Sequence, residues 1–366
     1  MLNGTALHSL MHLTLFIPDL LWPDHADASA FDFAGAESLA RLLFLADYAV
    51  TPYNGTSSWE SVLAESFGLK TQNPPLATLR LMGGSELTGP EHPLGQPLIC
   101  ADPVNLDFIQ QYLVLSPIQA QSLTPDETNA LLQSLNEEFK GEGTFFQSSD
   151  HLNWYFAPAS TTQVLPNLAA CSRIAGRRID ADESRQVMGR DGLRWLNRIQ
   201  MCLNGHPVNE ARQLRELPAI NSLWPWGAGA LSASDHAVRP AFQQAIGHDP
   251  LLRGLCTLTH TAYRQVAEAG ESLLLLDTRM THAVAQDDLA LWQCGVQGLI
   301  KTWIAPALLQ LANKELETVS VIAPGARSTQ YWTLHYDHPA LRPNVLQRLF
   351  GRAHKHADLA TLVKTW

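Results

Sequence analysis

Short apolar runs alternate with amphipathic segments along the chain, and this alternation predicts an α/β fold. Two runs, His12–Pro18 and Ser272–Leu276, are typical of buried strands. The pattern predicts strands at 12–18, 97–101, 112–115, 143–147, 152–156, 272–276, 318–323 and 330–336. It predicts helices at 36–46, 57–67, 124–140, 191–203, 237–246, 251–267 and 287–313.

Two of the predicted helices carry start signals in the sequence. Thr124 stands where an N-cap is expected, Pro125 follows at the first helical position, and Glu127 completes a capping box. Ser57 and Glu60 have the same capping-box spacing at the start of an earlier helix. These residues fix where we expect the two helices to begin.

The pattern of predicted helices and strands changes after a Pro/Gly-rich stretch at 73–97. We interpret this stretch as a loop and a domain boundary. Beyond it, two strands, a helix and a hairpin follow one another, as in a small α+β module. We therefore expect a core domain formed by 1–96 and 216–366. An inserted α+β domain is expected at 97–215.

The amino-acid composition and net charge of the chain limit the classes of function that we expect. The chain has 366 residues, of which 46% are hydrophobic and 16% charged, so a folded protein is expected. A net charge of −10 gives no general attraction to nucleic acid or an anionic membrane, and we expect neither partner. The five cysteines form no CxxC pair, and no secretory signal or membrane span is visible. We expect a cytoplasmic protein.

Two aspartates follow predicted strands and are candidate metal ligands. Asp19 follows the first strand and Asp277 follows the strand at 272–276, where sheets of this class bind ligands. His282, Asp287 and Asp288 come soon after, and carboxylates with imidazole suit zinc or manganese. The alternative is that Asp277 caps a turn and the later aspartates begin a helix.

The most distinctive segment is 206–229, which contains an arginine, two closely spaced tryptophans and two glycines. Arg212 could donate two hydrogen bonds to a phosphate or carboxylate, and glycines after a strand let backbone N–H groups approach an anion. The tryptophans would line such a site or fill the core. The candidate ligand-binding residues are His206, Asn209, Arg212, Asn221, Trp226, Gly227 and Gly229.

This segment also carries a resemblance to a known family. HPVN, an arginine and then PxxNSLWxWGxG resemble the matching segment of archaeal-type cofactor-independent phosphoglycerate mutases, in the alkaline phosphatase superfamily. The sequence also resembles a group of bacterial phosphoglycerate-mutase-like proteins, which includes the RpfE-type regulatory proteins. Shorter matches are IPDLLWP at 17–23, FGL at 67–69 and CADPVNL at 100–106.

The resemblance implies an alkaline-phosphatase-like sheet core flanked by helices, with an inserted smaller α+β domain. Catalytic members hold two divalent metals with aspartate and histidine. Asp19 matches the first-strand aspartate, and Asp277 and His282 lie where the family has an Asp…His pair. After the strand ending near Ala323, catalytic members carry an Asp-His pair, whereas this chain has Pro-Gly-Ala-Arg at 324–327.

Catalytic members also use a serine that is transiently phosphorylated. No residue of this chain matches it securely, and Thr56, Ser57 and Ser58 are the candidates, with capping as the alternative role for Ser57. Two close cations repel, so they need anionic ligands to hold them. The missing Asp-His pair therefore predicts a degraded metal site.

The sequence leads to a main hypothesis and two alternatives. The main one is a phosphoglycerate-mutase-like protein without ordinary mutase activity, which binds a phosphorylated metabolite or a protein partner and needs no cofactor. The second is an active mutase or phosphatase that uses manganese or zinc. The third is a purely structural interaction protein.

Overall fold

The computed structural model describes residues 11–22, 35–54, 57–71, 73–84, 95–109, 112–119, 122–148, 152–163, 165–176, 178–233, 235, 238–268 and 270–341. Its strands are β1 (His12–Phe16), β2 (Asp47–Pro52), β3 (Leu98–Ile109), β4 (Tyr112–Pro117), β5 (Gly143–Gln147), β6 (Trp154–Pro158), β7 (Arg178–Asp180), β8 (Ser222–Gly229), β9 (Gln244–Ile246), β10 (Ala262–Arg264), β11 (Ser272–Leu276), β12 (Thr318–Pro324) and β13 (Ser328–His335). Its helices are α1 (Glu37–Leu45), α2 (Trp59–Ser66), α3 (Leu76–Met82), α4 (Pro125–Glu138), α5 (Cys171–Ile174), α6 (Ala181–Leu203), α7 (Pro207–Leu214), α8 (Pro250–Thr259), α9 (Arg279–Ala285), α10 (Leu289–Leu299) and α11 (Ala305–Asn313).

The described residues form two compact units. Unit 1 takes those within 1–53, 240–249 and 261–366, and unit 2 takes those within 54–239 and 250–260. The sequence placed its boundaries at 96/97 and 215/216 instead. Helices α2 and α3 and strand β8 fall in unit 2, because β8 pairs with β3 along most of its length. Compact units and an inserted domain need not share boundaries, so the expected domain division stays a prediction.

Unit 1 is built on a seven-stranded sheet with the order β10-β9-β11-β1-β12-β13-β2. Strands β9, β10, β11, β1 and β12 are parallel, and β13 and β2 are antiparallel to their neighbours. Because the five parallel strands point the same way, their carboxyl ends share one edge of the sheet. Asp277 and Asp19 both follow strands at this edge.

One face of this sheet packs on helices to form the core of unit 1. Leu13 and Leu15 of β1 and Leu273 and Leu275 of β11 alternate into the same cluster, as the two-residue period of a strand requires. Residues of α1, α10 and α11 join them, with Trp292 fully buried. The α/β class, a central sheet flanked by helices, is confirmed, and so are the strands predicted at 12–18, 272–276, 318–323 and 330–336.

The predicted helix at 287–313 is present but is interrupted by a π-helical turn at Ile300–Ile304. The N–H of Ala305 donates to the carbonyl of Ile300, five residues back. Pro306 follows and has no N–H, so the regular α-helical ladder cannot run through it. The start of α10 confirms that Asp288 begins a helix, since its Oδ1 accepts from the N–H of Leu291 at 2.9 Å.

Unit 2 contains an antiparallel sheet with the order β5-β6-β3-β4-β7, and β8 pairs with β3. The predicted capping box of α4 is confirmed: the N–H of Thr124 donates to Glu127 Oε2 at 2.9 Å, and the N–H of Glu127 donates to Thr124 Oγ1 at 3.3 Å. Helices α3 and α8 pack closely at glycines. A Cβ on Gly254 would lie 1.8 Å from the carbonyl oxygen of Leu79.

Two helix predictions were wrong, and several elements were missed, among them β2, α3, α7, β7 and β10. The helix expected at 237–246 is a loop followed by β9, since Pro240 interrupts the helical pattern and β9 pairs with two parallel strands (residue 237 lies outside the described part). The helix expected at 251–267 ends at Thr259, before β10. Strand β2 was missed, and α3 lies within the stretch expected as a loop.

Within the described residues, no helix combines the length and apolar character needed to cross a membrane.

Candidate functional site

A pocket of about 350 Å³ opens at the carboxyl edge of the unit 1 sheet. Its walls come from residues that follow β9, β10 and β11 and from the π-helical turn. In open parallel sheets, ligands bind outside the carboxyl ends of the strands. We call it the edge pocket, and its polar lining consists of His248, Gln265, Asp277, Thr278, Arg279 and Thr302.

Parallel pairing brings these strand ends together. Ile246 of β9 lies opposite Leu275 of β11, so the residues that follow them, Gly247 and Leu276, are neighbours at the edge. The hydroxyl of Tyr263 donates to the carbonyl of Gly247 in a short hydrogen bond and holds the loop after β9. The pocket floor is therefore fixed by the sheet itself.

The central feature of the edge pocket is an ion pair between Asp277 and Arg279. Nε of Arg279 donates to Oδ1 and Oδ2 of Asp277 at 2.9 and 3.1 Å, and Nη2 donates to Oδ2 at 2.5 Å. The backbone N–H of Arg279 adds a bond to Oδ1 at 3.1 Å. The Asp277 side chain is 9% exposed and the Arg279 side chain 57%. The carboxylate is therefore mostly enclosed and the guanidinium reaches solvent.

The bond to Asp277 raises the pKa of Arg279 above its ordinary value, so the guanidinium is charged at every physiological pH. Nη1 is not used in the pair. A Cβ on Gly298 of α10 would lie 3.2 Å from Nη1, so the glycine leaves room for the guanidinium. A fixed, charged and partly exposed arginine at a pocket is suited to bind phosphate or carboxylate.

The π-helical turn supplies the wall on the helical side. Thr302 is exposed there, and Trp303 is 7% exposed. Widened turns of this kind are frequent at functional sites, because they change the direction of side chains within a helix. The turn therefore adds a threonine and a tryptophan to the pocket lining.

The structure does not gather the three metal candidates into a metal site. Both carboxylate oxygens of Asp277 accept from Arg279. His282 lies exposed on α9. Asp19, 8% exposed, has a positive φ of 54°, and its carbonyl accepts from Trp292 Nε1 at 2.9 Å. Within the described ranges, no three His, Cys, Asp or Glu residues lie close enough to hold a cation.

The segment where catalytic members of the resembled family are expected to carry an Asp-His pair is a hairpin in this chain. The N–H of Gly325 donates to the carbonyl of Ser328 at 2.9 Å, and β12 turns back directly into β13. Arg327 is exposed, and its carbonyl accepts from the N–H of Tyr53 at 2.8 Å. These residues do not fit a two-cation centre. Arg279 pairs with Asp277, which is one of the expected carboxylates, and the turn at 324–327 contains no other carboxylate.

The candidate nucleophiles in unit 2 have capping contacts. Ser57 Oγ donates to the carbonyl of Asn54 at 2.6 Å. Ser58 is the N-cap of α2, and its N–H donates to Ser61 Oγ at 2.9 Å. The helix cap therefore falls one residue later than the sequence predicted. Thr56 lies outside the described residues.

Arg212 of unit 2 is completely buried, and its contacts differ from the anion-binding role that the sequence predicted. Nε donates to the carbonyl of Pro218 at 2.8 Å, and Nη1 donates to the carbonyl of Ser122 at 2.6 Å and to Glu127 Oε2 at 3.2 Å. Burial lowers its pKa and Glu127 opposes that shift. The guanidinium thus joins α4 and α7 rather than facing solvent.

The other polar candidates of the 206–229 segment also bond within the protein. The Asn209 side chain donates to Ile220 O at 3.0 Å and accepts from Ile220 N at 2.8 Å. Asn221 makes the same two-way contact with the backbone of Leu106. His206 Nδ1 accepts from the N–H of Val208 at 3.2 Å, and its Nε2 lies 3.1 Å from Ser134 Oγ. These contacts explain the polar residues as loop and helix anchors.

The tryptophan and glycines of this segment belong to β8 itself. Trp226 Nε1 donates to Asp102 Oδ2 at 2.7 Å, and the Arg80 guanidinium lies 5.1 Å from a Trp226 ring centroid. A Cβ on Gly229 would lie 2.8 Å from Pro75 Cα, and one on Gly227 would lie 3.0 Å from Leu76 Cβ. The glycines let the start of α3 approach β8, which is a packing role.

Sequence reasoning missed the residues that line the edge pocket beside Asp277. The spacing Asp277-x-Arg279 directly after a buried strand was visible, and a carboxylate can pair with a cation two residues on. His248 and Thr302 had no such signal, since each depends on which strands become neighbours and on the π-helical turn.

No model of a protein family matches the sequence, and no curated protein matches it. Similar solved structures include the following two. The PH0037 protein from Pyrococcus horikoshii has 11% identity and a TM-score of 0.47, with 89% of this chain and 88% of that chain covered. The cofactor-independent phosphoglycerate mutase from Thermoplasma acidophilum has 13% identity and a TM-score of 0.37, with 90% of each chain covered. These similarities are distant and carry no argument about the reaction or ligand of this chain.

Proposed function

We propose that this chain is a phosphoglycerate-mutase-like protein with a degraded metal site, which binds a phosphorylated small molecule in the edge pocket in a binding or regulatory role. The cytoplasmic location, the absence of a cofactor and a protein partner as the alternative ligand belong to the same proposal. The observation that carries it is the ion pair of Asp277 with Arg279 at the strand end where catalytic members of the resembled family are expected to hold a cation.

The charge balance of this pair favours anion binding over cation binding. A divalent cation would have to displace the Arg279 guanidinium, which makes three side-chain bonds to the Asp277 carboxylate. A phosphate needs no displacement, since Nη1 remains outside the pair. Thr278 and Thr302 contribute hydroxyls to the pocket, and hydroxyls donate to phosphate oxygens.

Titration calorimetry with inorganic phosphate and with 3-phosphoglycerate tests the proposal. We expect Arg279→Gln to weaken binding about tenfold or more, because a hydrogen bond to a charged group contributes ~1.5–3 kcal/mol. Arg327→Gln is the matched control: it removes an exposed arginine of the same unit that does not line the pocket, and it should bind as the parent does. Equal binding by the parent and Arg279→Gln would contradict the proposal.

The alternative is an active mutase or phosphatase that uses manganese or zinc. It draws on one observation: the N–H of Asp277 donates to Phe16 O at 3.1 Å, so the strand ends that lead to Asp277 and Asp19 are adjacent. Elemental analysis after dialysis against Mn²⁺, with a mutase assay on the same sample, separates the two. Stoichiometric manganese with turnover at ordinary enzyme rates would replace the binding role by the enzymatic one.

A further inference from the structure

Two chemically different sets of residues line the edge pocket, and we call them its polar and its apolar wall. One is polar and exposed, with Arg279, His248 and Gln265 among its residues. The other is apolar and consists of Leu275, Leu276, Trp303 and Val266. Val266 is 45% exposed, so part of its side chain is open to a ligand. A ligand that fits both walls must itself have an anionic end and an apolar part.

The volume of the pocket also favours a ligand with an apolar part. A volume of about 350 Å³ lies within the ~300–1,000 Å³ range of pockets that enclose drug-sized ligands. A three-carbon phosphate ester such as phosphoglycerate is polar over its whole surface. It would leave the apolar wall and Val266 in contact with water and would gain nothing from them, since the hydrophobic contribution scales with the apolar area removed from water.

The polar groups away from Arg279 can recognise a ring with hydrogen-bonding edges. The Gln265 side chain has both donors and an acceptor, so it can pair with a base edge that presents a donor beside an acceptor, as adenine does. The Thr302 hydroxyl and the His248 ring can each donate to or accept from sugar hydroxyls. The Trp303 ring and Val266 offer apolar surface to the faces of such a ring.

We infer that the ligand of the edge pocket is a nucleoside monophosphate, with its phosphate on Arg279 and its base between Val266 and the Trp303 wall. This inference rests on the proposed function, because it uses the same pocket and the same arginine. It adds the ligand class: a phosphate monoester that carries a planar ring, rather than a three-carbon metabolite.

Titration calorimetry on the full chain tests this with adenosine monophosphate, 3-phosphoglycerate, inorganic phosphate and adenosine as probes. We expect adenosine monophosphate to bind about tenfold or more tightly than 3-phosphoglycerate, because the base covers apolar wall. Adenosine should bind more weakly than its monophosphate by a similar factor, since it lacks the group that contacts Arg279.

Two variants locate the ring. Val266→Asn should weaken binding of adenosine monophosphate severalfold and leave the affinity for inorganic phosphate unchanged, since only the ring contacts this side chain. Leu309→Asn is the control, because Leu309 is 63% exposed on α11 and does not line the pocket. It should bind both probes as the parent does. Because both side chains are exposed, neither variant should unfold the protein.

The outcomes separate the two proposals. If adenosine monophosphate and 3-phosphoglycerate bind equally and both respond to Arg279→Gln, the ligand class is wrong and the phosphate-binding role stands. If neither responds to Arg279→Gln, the phosphate-binding role fails and the inference fails with it. A Val266→Asn variant that weakens both probes alike would also overturn the placement of the ring.

Discussion

The side chain of Asp277 accepts hydrogen bonds from Arg279, two residues later in the chain, and the pair stands at the carboxyl edge of a parallel sheet. The backbone N–H of Arg279 bonds to the same carboxylate, so the turn after β11 and the ion pair stabilise each other. The carboxylate is thereby neutralised within its own loop. This local pairing changes the chemistry that the strand end can support.

Asp277→Asn should strengthen phosphate binding. Without the carboxylate charge, the Arg279 guanidinium gives the pocket a net positive potential. For a partly exposed pair, we expect the binding free energy of phosphate to improve by ~1 kcal/mol, which is roughly fivefold in affinity. Calorimetry at low and high salt measures it, and the gain should shrink at high salt. Asp337→Asn, an exposed change elsewhere in unit 1, is the control. A metal-dependent enzyme predicts the opposite, namely loss of ligand affinity and of turnover.

Asp102→Ala should strongly destabilise unit 2. Arg80 is 7% exposed, and it donates to both carboxylate oxygens of Asp102 at 3.0 and 2.7 Å, while its guanidinium carbon lies 4.9 Å from the Tyr155 ring centroid. Removing one partner of a buried pair leaves an uncompensated charge, at a cost of ~3–5 kcal/mol. Urea denaturation measures the loss.

Two further variants test whether the unpaired charge of Arg80 causes the loss of stability in Asp102→Ala. Replacing both partners, Arg80→Met with Asp102→Leu, should recover much of the loss, because no unpaired charge is left. Glu142→Ala breaks the exposed Arg198–Glu142 pair, where the side chains are 37% and 48% exposed, and should cost less than ~1 kcal/mol. A single Asp102→Ala variant as stable as Glu142→Ala would show that the buried pair has little effect.

Gly254→Ala should destabilise the packing of α3 on α8. The added Cβ would lie 1.8 Å from the Leu79 carbonyl oxygen, which is backbone and can move only with the helix. Overpacking of this severity costs ~3 kcal/mol or more. Thermal unfolding measures it, and Gly95→Ala, where a Cβ meets nothing within 4 Å, should leave the melting temperature nearly unchanged. A tolerated Gly254→Ala would mean that the two helices can separate freely.

The stability of the protein should fall in mild acid through His206. Burial lowers the pKa of this imidazole below its ordinary 6.5, and its Nδ1 accepts from the N–H of Val208. The unfolded chain therefore takes up the proton first. The stabilisation is fully present above pH 6.5 and is lost as the pH falls through the lower, folded-state pKa.

His206→Asn tests this, because asparagine can cap a helix but does not titrate near neutrality. Urea denaturation at several pH values should give a shallower loss of stability below pH 6.5 for the variant than for the parent. Above that pH the two curves should run parallel. The prediction fails if the parent and the variant lose stability equally between pH 6.5 and 5.

Local signals were sufficient for some elements and misleading for others. The capping residues of α4 fixed its start, because Thr124 and Glu127 bond to each other within one turn. The 237–246 segment has helix-forming residues around Pro240, yet β9 forms at its end because β10 and β11 offer parallel partners on both sides. Strand β2 was missed for the same reason: it exists through its pairing with β13.

The candidate site shows the same division between what local sequence patterns predict and what depends on long-range contacts. Sequence alone could mark Asp277 as a strand-end carboxylate, and it could mark Arg212 as a residue able to bind an anion. Which of them faces a pocket was not contained in those patterns. Arg212 turned out to be enclosed by carbonyls of Pro218 and Ser122, whereas the unremarked Arg279 lies at the pocket.

By itself the sequence determined the α/β class, the buried strands of the sheet and the caps of its strongest helix, since these depend on periodicity and on contacts within one turn. Tertiary structure decided which strands became neighbours, and hence that the loops after β9, β10 and β11 form one pocket. The reason is physical: strand pairing and side-chain burial depend on residues far apart in the chain, whose proximity no local pattern encodes.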